Sequence, residues 1–109
     1  MSHLSEKRCT PCEGDESPLS HIQAQNLQKQ LTQNWQVVAN KKIRYQFKLD
    51  SFASAIEFVN KIAKVAEEED HHPDIIINYK KVTIELTTHA IGGLSENDFI
   101  MAAKIENAL

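Results

Sequence analysis

This chain is poor in the residues that usually mark a secreted, membrane or nucleic-acid-binding protein. It has only two cysteines, three glycines, three prolines and one tryptophan in 109 residues. No apolar run is long enough to cross a bilayer, and the N-terminus lacks the apolar core of a secretory signal. The expected address is therefore cytoplasmic, and the low cysteine count agrees with it. Basic residues are not in surplus: 12 Lys and Arg stand against 15 Asp and Glu, a net charge of -3. A phosphate backbone has little to bind here, so a nucleic-acid partner is disfavoured. What remains is an ordinary globular composition, 41% apolar and 25% charged, in a chain long enough for one domain with one modest core.

The scarce punctuation residues are unevenly placed. Pro11, Gly14 and Pro18 fall in the first 18 residues, which are polar and read as a flexible extension outside the core. Both cysteines lie there, as Cys9-Thr-Pro-Cys12. A structural zinc site needs two more strong ligands, and a thioredoxin-like Cys-x-x-Cys should open a helix after a strand. Neither context is present, so a reduced tail is the expectation. Residues 19–109 form the single domain.

Within it, Ser20 caps a short helix carrying Ile22, Leu27 and Leu31. Residues 35–39 read as a strand, Asn40-Lys41-Lys42 as a turn, and Ile43, Tyr45, Phe47 and Leu49 alternate with polar residues as a half-buried strand. Asp50 or Ser51 caps a long helix, whose Phe52, Ala55, Ile56, Val59, Ile62, Ala63 and Ala66 recur at three and four, a stripe that Phe58 and Val65 widen. Residues 74–78 begin a second hairpin that turns at Tyr79-Lys80-Lys81, with Tyr79 expected to pack on the sheet edge. Val82, Ile84, Leu86 and Thr88 share one face of the next strand, and Thr83, Glu85, Thr87 and His89 the other. Gly92-Gly93 breaks the pattern, and Ser95 caps a final helix. The order is α-β-β-α-β-β-α. The economical architecture is α+β: a four-stranded antiparallel sheet with helices on one face and a polar opposite face. The final helix has apolar residues on two sides, Phe99, Ala102 and Ala103 against Met101, Ile105 and Leu109, which suggests burial against another subunit.

Three histidines carry the chemistry. His71 and His72 precede Pro73, which ends the long helix and turns His72 out of helical geometry. His89 follows on the next strand, whose partner begins just after His72. In an antiparallel hairpin the start of one strand lies beside the end of the other, so the three imidazoles should meet, with Thr87 and Thr88 at the same edge. Imidazole is the side chain suited to giving and taking protons at cellular pH. Four acids, Glu67 to Asp70, end the long helix where the macrodipole is already negative, a departure from local rules of the sort found at functional sites. The cluster admits either acid/base catalysis or a metal. Asp98 sits three residues after Ser95, a capping-box pattern that suffices to explain it.

The full spacing, Glu67-x3-His71-His72-Pro73-x5-Tyr79-x9-His89-x8-Asp98, resembles the signature of the pterin-4a-carbinolamine dehydratases, also known as dimerisation cofactors of a homeodomain transcription factor. The resemblance extends to Trp35, to Phe47, Phe52, Ala55 and Phe58, and to Gly93-Leu94, and spans roughly residues 20–108. It implies removal of water from a 4a-hydroxytetrahydropterin to give the quinonoid dihydropterin, with no cofactor and no metal. His71 and His89 would be the acid/base pair and His72 would orient the pterin. Asp70, His71, His72, Pro73, Thr87, Thr88, His89 and Ala90 would line the pocket, with Glu67 and Asp98 supporting. It further implies a homodimer or homotetramer and a link to an aromatic amino acid hydroxylase. Two positions depart from many relatives: Ile75 replaces an aromatic, and Ala90 replaces an acid. Two other readings stand beside the enzyme, a non-enzymatic binding module using a helical face and a zinc protein built on the histidines.

Overall fold

The structure is a computed structural model that describes residues 4–11, 14 and 16–109. The central event is the pairing of two strands distant in sequence. Strand β2 (Lys42–Lys48) runs antiparallel to β4 (Lys81–Leu86), with Ile43 opposite Leu86, Tyr45 opposite Ile84 and Phe47 opposite Val82. Because side chains alternate across a strand, this register puts all six on one face. Strand β1 (Gln36–Val38) flanks β2 and β3 (Asp74–Asn78) flanks β4, giving the sheet order β1-β2-β4-β3, antiparallel throughout. The expected α+β architecture and element order are those observed.

Three helices cover the apolar face. Helix α1 (His21–Gln28) starts at Ser20, whose hydroxyl accepts the Gln23 N–H at 3.2 Å while Gln23 Oε1 accepts the Ser20 N–H at 2.8 Å, a reciprocal cap. Helix α2 (Phe52–Glu69) is capped by Ser51 and buries Ala55, Phe58, Ile62 and Ala66, one stripe at helical spacing. Between α2 and the sheet, aromatic rings interlock. Phe47 meets Phe58 at 5.0 Å, Tyr45 at 4.7 Å and Trp35 at 5.8 Å between centroids, each nearly edge-to-face, the favoured arrangement of ring quadrupoles. Trp35 is fully buried, and its indole N–H donates to Glu106 at 2.9 Å. The same carboxylate accepts the backbone N–H groups of Thr32 and Gln33, which anchors the end of the α1–β1 connection to helix α3 (Glu96–Asn107).

The opposite sheet face is largely polar, as expected. Glu85 pairs with Lys42 at 3.0 Å and Arg44 at 3.2 Å, and Gln46 donates to Thr83.

Four local expectations are corrected. Strand β1 stops at Val38, because Ala39 and Asn40 both adopt left-handed backbone angles and make the turn. Tyr79 does not pack on the sheet edge: it lies at the hairpin turn with a positive φ of 57° and is 66% exposed. Residues 1–18 do not all lie outside the core, since Leu4, in a 3-10 turn at Leu4–Glu6, is buried in it against α3. For the same reason the two-sided apolarity of α3 needs no second subunit. The sheet, α1, α2 and the Leu4 turn surround it, and Phe99, Met101, Ala102, Ala103 and Ile105 are all buried within the chain, Leu109 alone of that set being exposed.

The aromatic interlock gives a stability prediction. Phe47→Ala should cost about 3–5 kcal/mol, read in urea as a lower midpoint at unchanged slope.

Candidate functional site

Where α2 ends, the chain must leave the helix within one residue to reach β3. Asp70 does this in left-handed geometry, φ 52° and ψ 43°, and the His71 N–H closes back on the Ala66 carbonyl at 3.2 Å. Aspartate tolerates that conformation better than most residues. The turn carries His71 toward α3 and leaves His72 exposed. On the neighbouring strand, β4 ends at Leu86 and the chain continues through Thr87 and Thr88 to a 3-10 turn at His89–Ile91. His89 therefore opens this turn rather than ending the strand. Gly92, at φ 69°, closes it, and Thr88 pairs back to Gly93.

These two segments line an open cavity of about 530 Å³, a size typical of small-molecule sites. Its walls are Glu69, Asp70, His71 and His72 from the end of α2, Thr87 to Ala90 from the end of β4, Asn97 from α3, and Cys9, Thr10 and Pro11 from the N-terminal segment. The hairpin argument for a meeting of the three imidazoles thus agrees with their shared cavity. Of the expected lining residues, Pro73 alone is not on the wall. Glu67 lies outside it as well, hydrogen-bonded to His72 at 2.6 Å on the exposed surface, a contact of the kind that adds little stability.

Asp98 is the buried centre of the site. It is fully inaccessible to solvent, and both carboxylate oxygens are used. Oδ1 contacts His71 Nε2 at 2.7 Å. Oδ2 accepts the Thr88 hydroxyl at 2.9 Å and the Ser95 N–H at 3.0 Å. Since the Thr88 proton is committed to Asp98, the Ser95 hydroxyl must donate to Thr88 across their 2.7 Å contact. A carboxylate only accepts, so the proton in the His71–Asp98 bond belongs to the imidazole. In the neutral ring, Nδ1 is then the lone-pair nitrogen. The helix cap, which sufficed to explain Asp98 from the sequence, and the histidine contact are made by one group serving both. The His89 carbonyl accepts the Gly92 N–H at 3.1 Å, while its imidazole is exposed and has no hydrogen-bond partner among the described residues.

Five residues of the cavity wall were not among the expected site residues: Cys9, Thr10 and Pro11 of the N-terminal segment, and Glu69 and Asn97, which hold that segment. Asn97 is buried on α3 and bonds both backbone groups of Thr10: its Oδ1 accepts the Thr10 N–H at 3.0 Å and its Nδ2 donates to the Thr10 carbonyl at 2.6 Å. Glu69 has a side chain only 5% exposed, accepts the Cys9 N–H at 2.7 Å, and has Lys104 at 3.8 Å and Arg8 at 3.9 Å. The acidic helix end was the available signal for Glu69. Nothing local distinguishes Asn97 from any residue of a first helical turn.

Among the described residues, no group of three or more His, Cys, Asp or Glu side chains is arranged to hold a metal ion. Cys12 lies outside the described residues. No helix among them is long and apolar enough to cross a membrane.

The fold and site together define an α+β scaffold with a histidine–carboxylate cavity at the end of a hairpin. Comparison with known proteins narrows this. The family model described as "Pterin 4 alpha carbinolamine dehydratase" matches residues 17–108. A Nitrosomonas eutropha protein named "Putative pterin-4-alpha-carbinolamine dehydratase" is 48% identical over 106 residues, covering 97% of this chain and 93% of its own. A Rickettsia canadensis protein of the same name is 44% identical over the whole of both chains. A crystal structure from Brucella melitensis, described as a transcriptional coactivator/pterin dehydratase, superposes with a TM-score of 0.79 at 31% identity over 84% of this chain and 98% of its own. The chain belongs to the pterin-4a-carbinolamine dehydratase family.

Burial, with the Glu69 carboxylate beside it, pushes the Cys9 thiol up to about 12. The thiolate is the reactive form, so Cys9 should be alkylated at pH 8 at least about tenfold more slowly in the folded protein than in urea. Fragment-ion assignment in tandem mass spectrometry reads this residue separately from Cys12, which lies on the same tryptic peptide.

Proposed function

We propose that this protein is a hydro-lyase that dehydrates a 4a-hydroxytetrahydropterin to the quinonoid dihydropterin by histidine acid/base catalysis. The observation that carries this reading is the pairing, on one cavity, of His71 backed by a buried carboxylate with an unpartnered His89. Family membership supplies the substrate class.

The reaction breaks the C4a–O bond and forms a double bond between C4a and N5. One proton must leave N5 and one must reach the departing hydroxyl. His71, with its Nε2 contact to Asp98, has Nδ1 as the basic nitrogen that takes the N5 proton. Asp98 steadies the ring and balances the charge His71 acquires. His89 protonates the hydroxyl, which leaves as water. Because His89 is exposed, bulk water restores its proton after each turnover, and His71 returns its own. The net change is loss of one water, with no oxidant or reductant. His72 orients the pterin, and Asp70, Thr87, Thr88 and Ala90 bound it. In this reading Glu67 steadies His72, and Pro73 shapes the turn behind the pocket. The substrate is a product of tetrahydropterin-dependent aromatic hydroxylation, so the reaction belongs to recycling of a tetrahydrobiopterin-type cofactor. The coactivator alternative draws on no geometry of this site.

The test is the dehydration rate of synthetic 4a-hydroxytetrahydropterin, followed by formation of the quinonoid product. His71→Ala and His89→Ala should each lower kcat by about 10²–10⁴-fold, while His72→Ala should act mainly on KM. A wild-type rate equal to that in buffer removes the enzyme reading.

Self-association is part of the same reading. Ile76 and Ile77 on the edge strand β3 are 49% and 40% exposed, and Phe52 on α2 is 50% exposed. Apolar surface at an open strand edge invites pairing. Sedimentation should give at least a dimer at micromolar concentration, and a single 12.4 kDa species would overturn it.

A further inference from the structure

The N-terminal segment is fastened across the site. Between Leu4 and Thr10 it is tied at several points to α2 and α3. Leu4 is buried against α3. Lys104 donates to the Ser5 carbonyl at 3.0 Å, Lys7 pairs with Glu96 at 3.0 Å, and Glu69 receives the Cys9 N–H. Asn97 then holds Thr10 by both of its backbone groups, as a neighbouring strand would. Cys9, Thr10 and Pro11 thereby become one wall of the cavity that His71 and His89 share. The family-model match covers residues 17–108, outside this wall.

We propose that Cys9, Thr10 and Pro11 form a specificity-determining wall of the pterin site, held in register by Asn97 and Glu69. This rests on the dehydratase reading of the same cavity. The wall's chemistry suits a flat, uncharged heterocycle. Pro11 presents a rigid apolar ring, Thr10 is a small polar residue with its backbone already committed, and Cys9 stays a neutral thiol. None of these groups exchanges protons at neutral pH, so the wall acts on binding and on the choice of ring substituent, not on the chemical step. Its position is coupled to the catalytic machinery through one helical turn, since Asn97 precedes Asp98. The same first turn of α3 sets the wall on one side and His71 on the other.

The functional reading itself is tested on the wild-type protein, whose turnover must exceed the buffer rate. The wall is tested on variants of an active protein. Asn97→Ala removes both hydrogen bonds to Thr10, and KM should rise about tenfold with kcat within about twofold of wild type. Pro11→Trp leaves the clasp intact and narrows the cavity from an exposed position. It should shift the ratio of kcat/KM between 6-methyl and 6-dihydroxypropyl hydroxypterins by about fivefold or more in favour of the smaller. Thermal melting verifies that each variant is folded. Should Asn97→Ala not fold, the Pro11→Trp selectivity decides alone. An unchanged selectivity in Pro11→Trp, or a fall in kcat at unchanged KM in folded Asn97→Ala, overturns the proposal, while activity in wild type would leave the dehydratase reading standing.

Discussion

The site depends on one buried carboxylate. Asp98 receives a histidine from the end of α2, a hydroxyl from the end of β4 and the N–H that opens α3. A carboxylate withdrawn from solvent is costly unless its acceptor positions are filled. Here three donors fill them, so each of the three chain segments is held where its donor reaches Asp98. The positive end of the α3 dipole adds to the same balance. Misplacing any one segment leaves a buried charge short of a partner, which is why the cavity walls are fixed relative to one another.

The acidic end of α2 has an unequal division of labour. Glu67 faces solvent with His72, whereas Glu69 turns inward and is compensated by Lys104 and by the Cys9 N–H. The unfavourable encounter of acids with the negative helix end is thus relieved by a cation from α3 and a donor from the N-terminal segment. That relief also brings the segment to the cavity. A local electrostatic conflict and the placement of a pocket wall are one arrangement seen from two sides.

Much of the fold was legible because its signals are periodic. Ile43, Tyr45 and Phe47 alternate, and of the wide apolar stripe on α2 Ala55, Phe58, Ile62 and Ala66 are buried at helical spacing, whereas Phe52 and Ala63 are exposed. Both patterns survive into the structure because they reflect which face meets the core. The convergence of His71, His72 and His89 was legible for a related reason, since a tight hairpin brings its two ends together. Leu4 escaped notice because one apolar residue in a polar stretch has no period to betray it. Asn97 escaped because its partners, the backbone groups of Thr10, are 87 residues away and backbone groups carry no sequence signature. The two-sided apolarity of α3 was read as a subunit contact because packing from Leu4 and the helices around it lies beyond any local pattern.

By itself, the sequence determined the main helices and strands, their order, the apolar face of the sheet and the histidines that share the cavity, because alternation, helical periodicity, caps, Pro73 and a tight hairpin all act within a short stretch of chain. Only the tertiary structure decided that Asp98 serves His71 as well as its own helix, that Glu69 and Asn97 belong to the cavity, and that Cys9 to Pro11 form its wall. Those outcomes depend on the β2–β4 pairing and on the packing of α3 between sheet, helices and N-terminal segment. Such contacts join residues far apart in the chain, and their energies are set by burial and donor geometry that exist only once the chain has closed on itself.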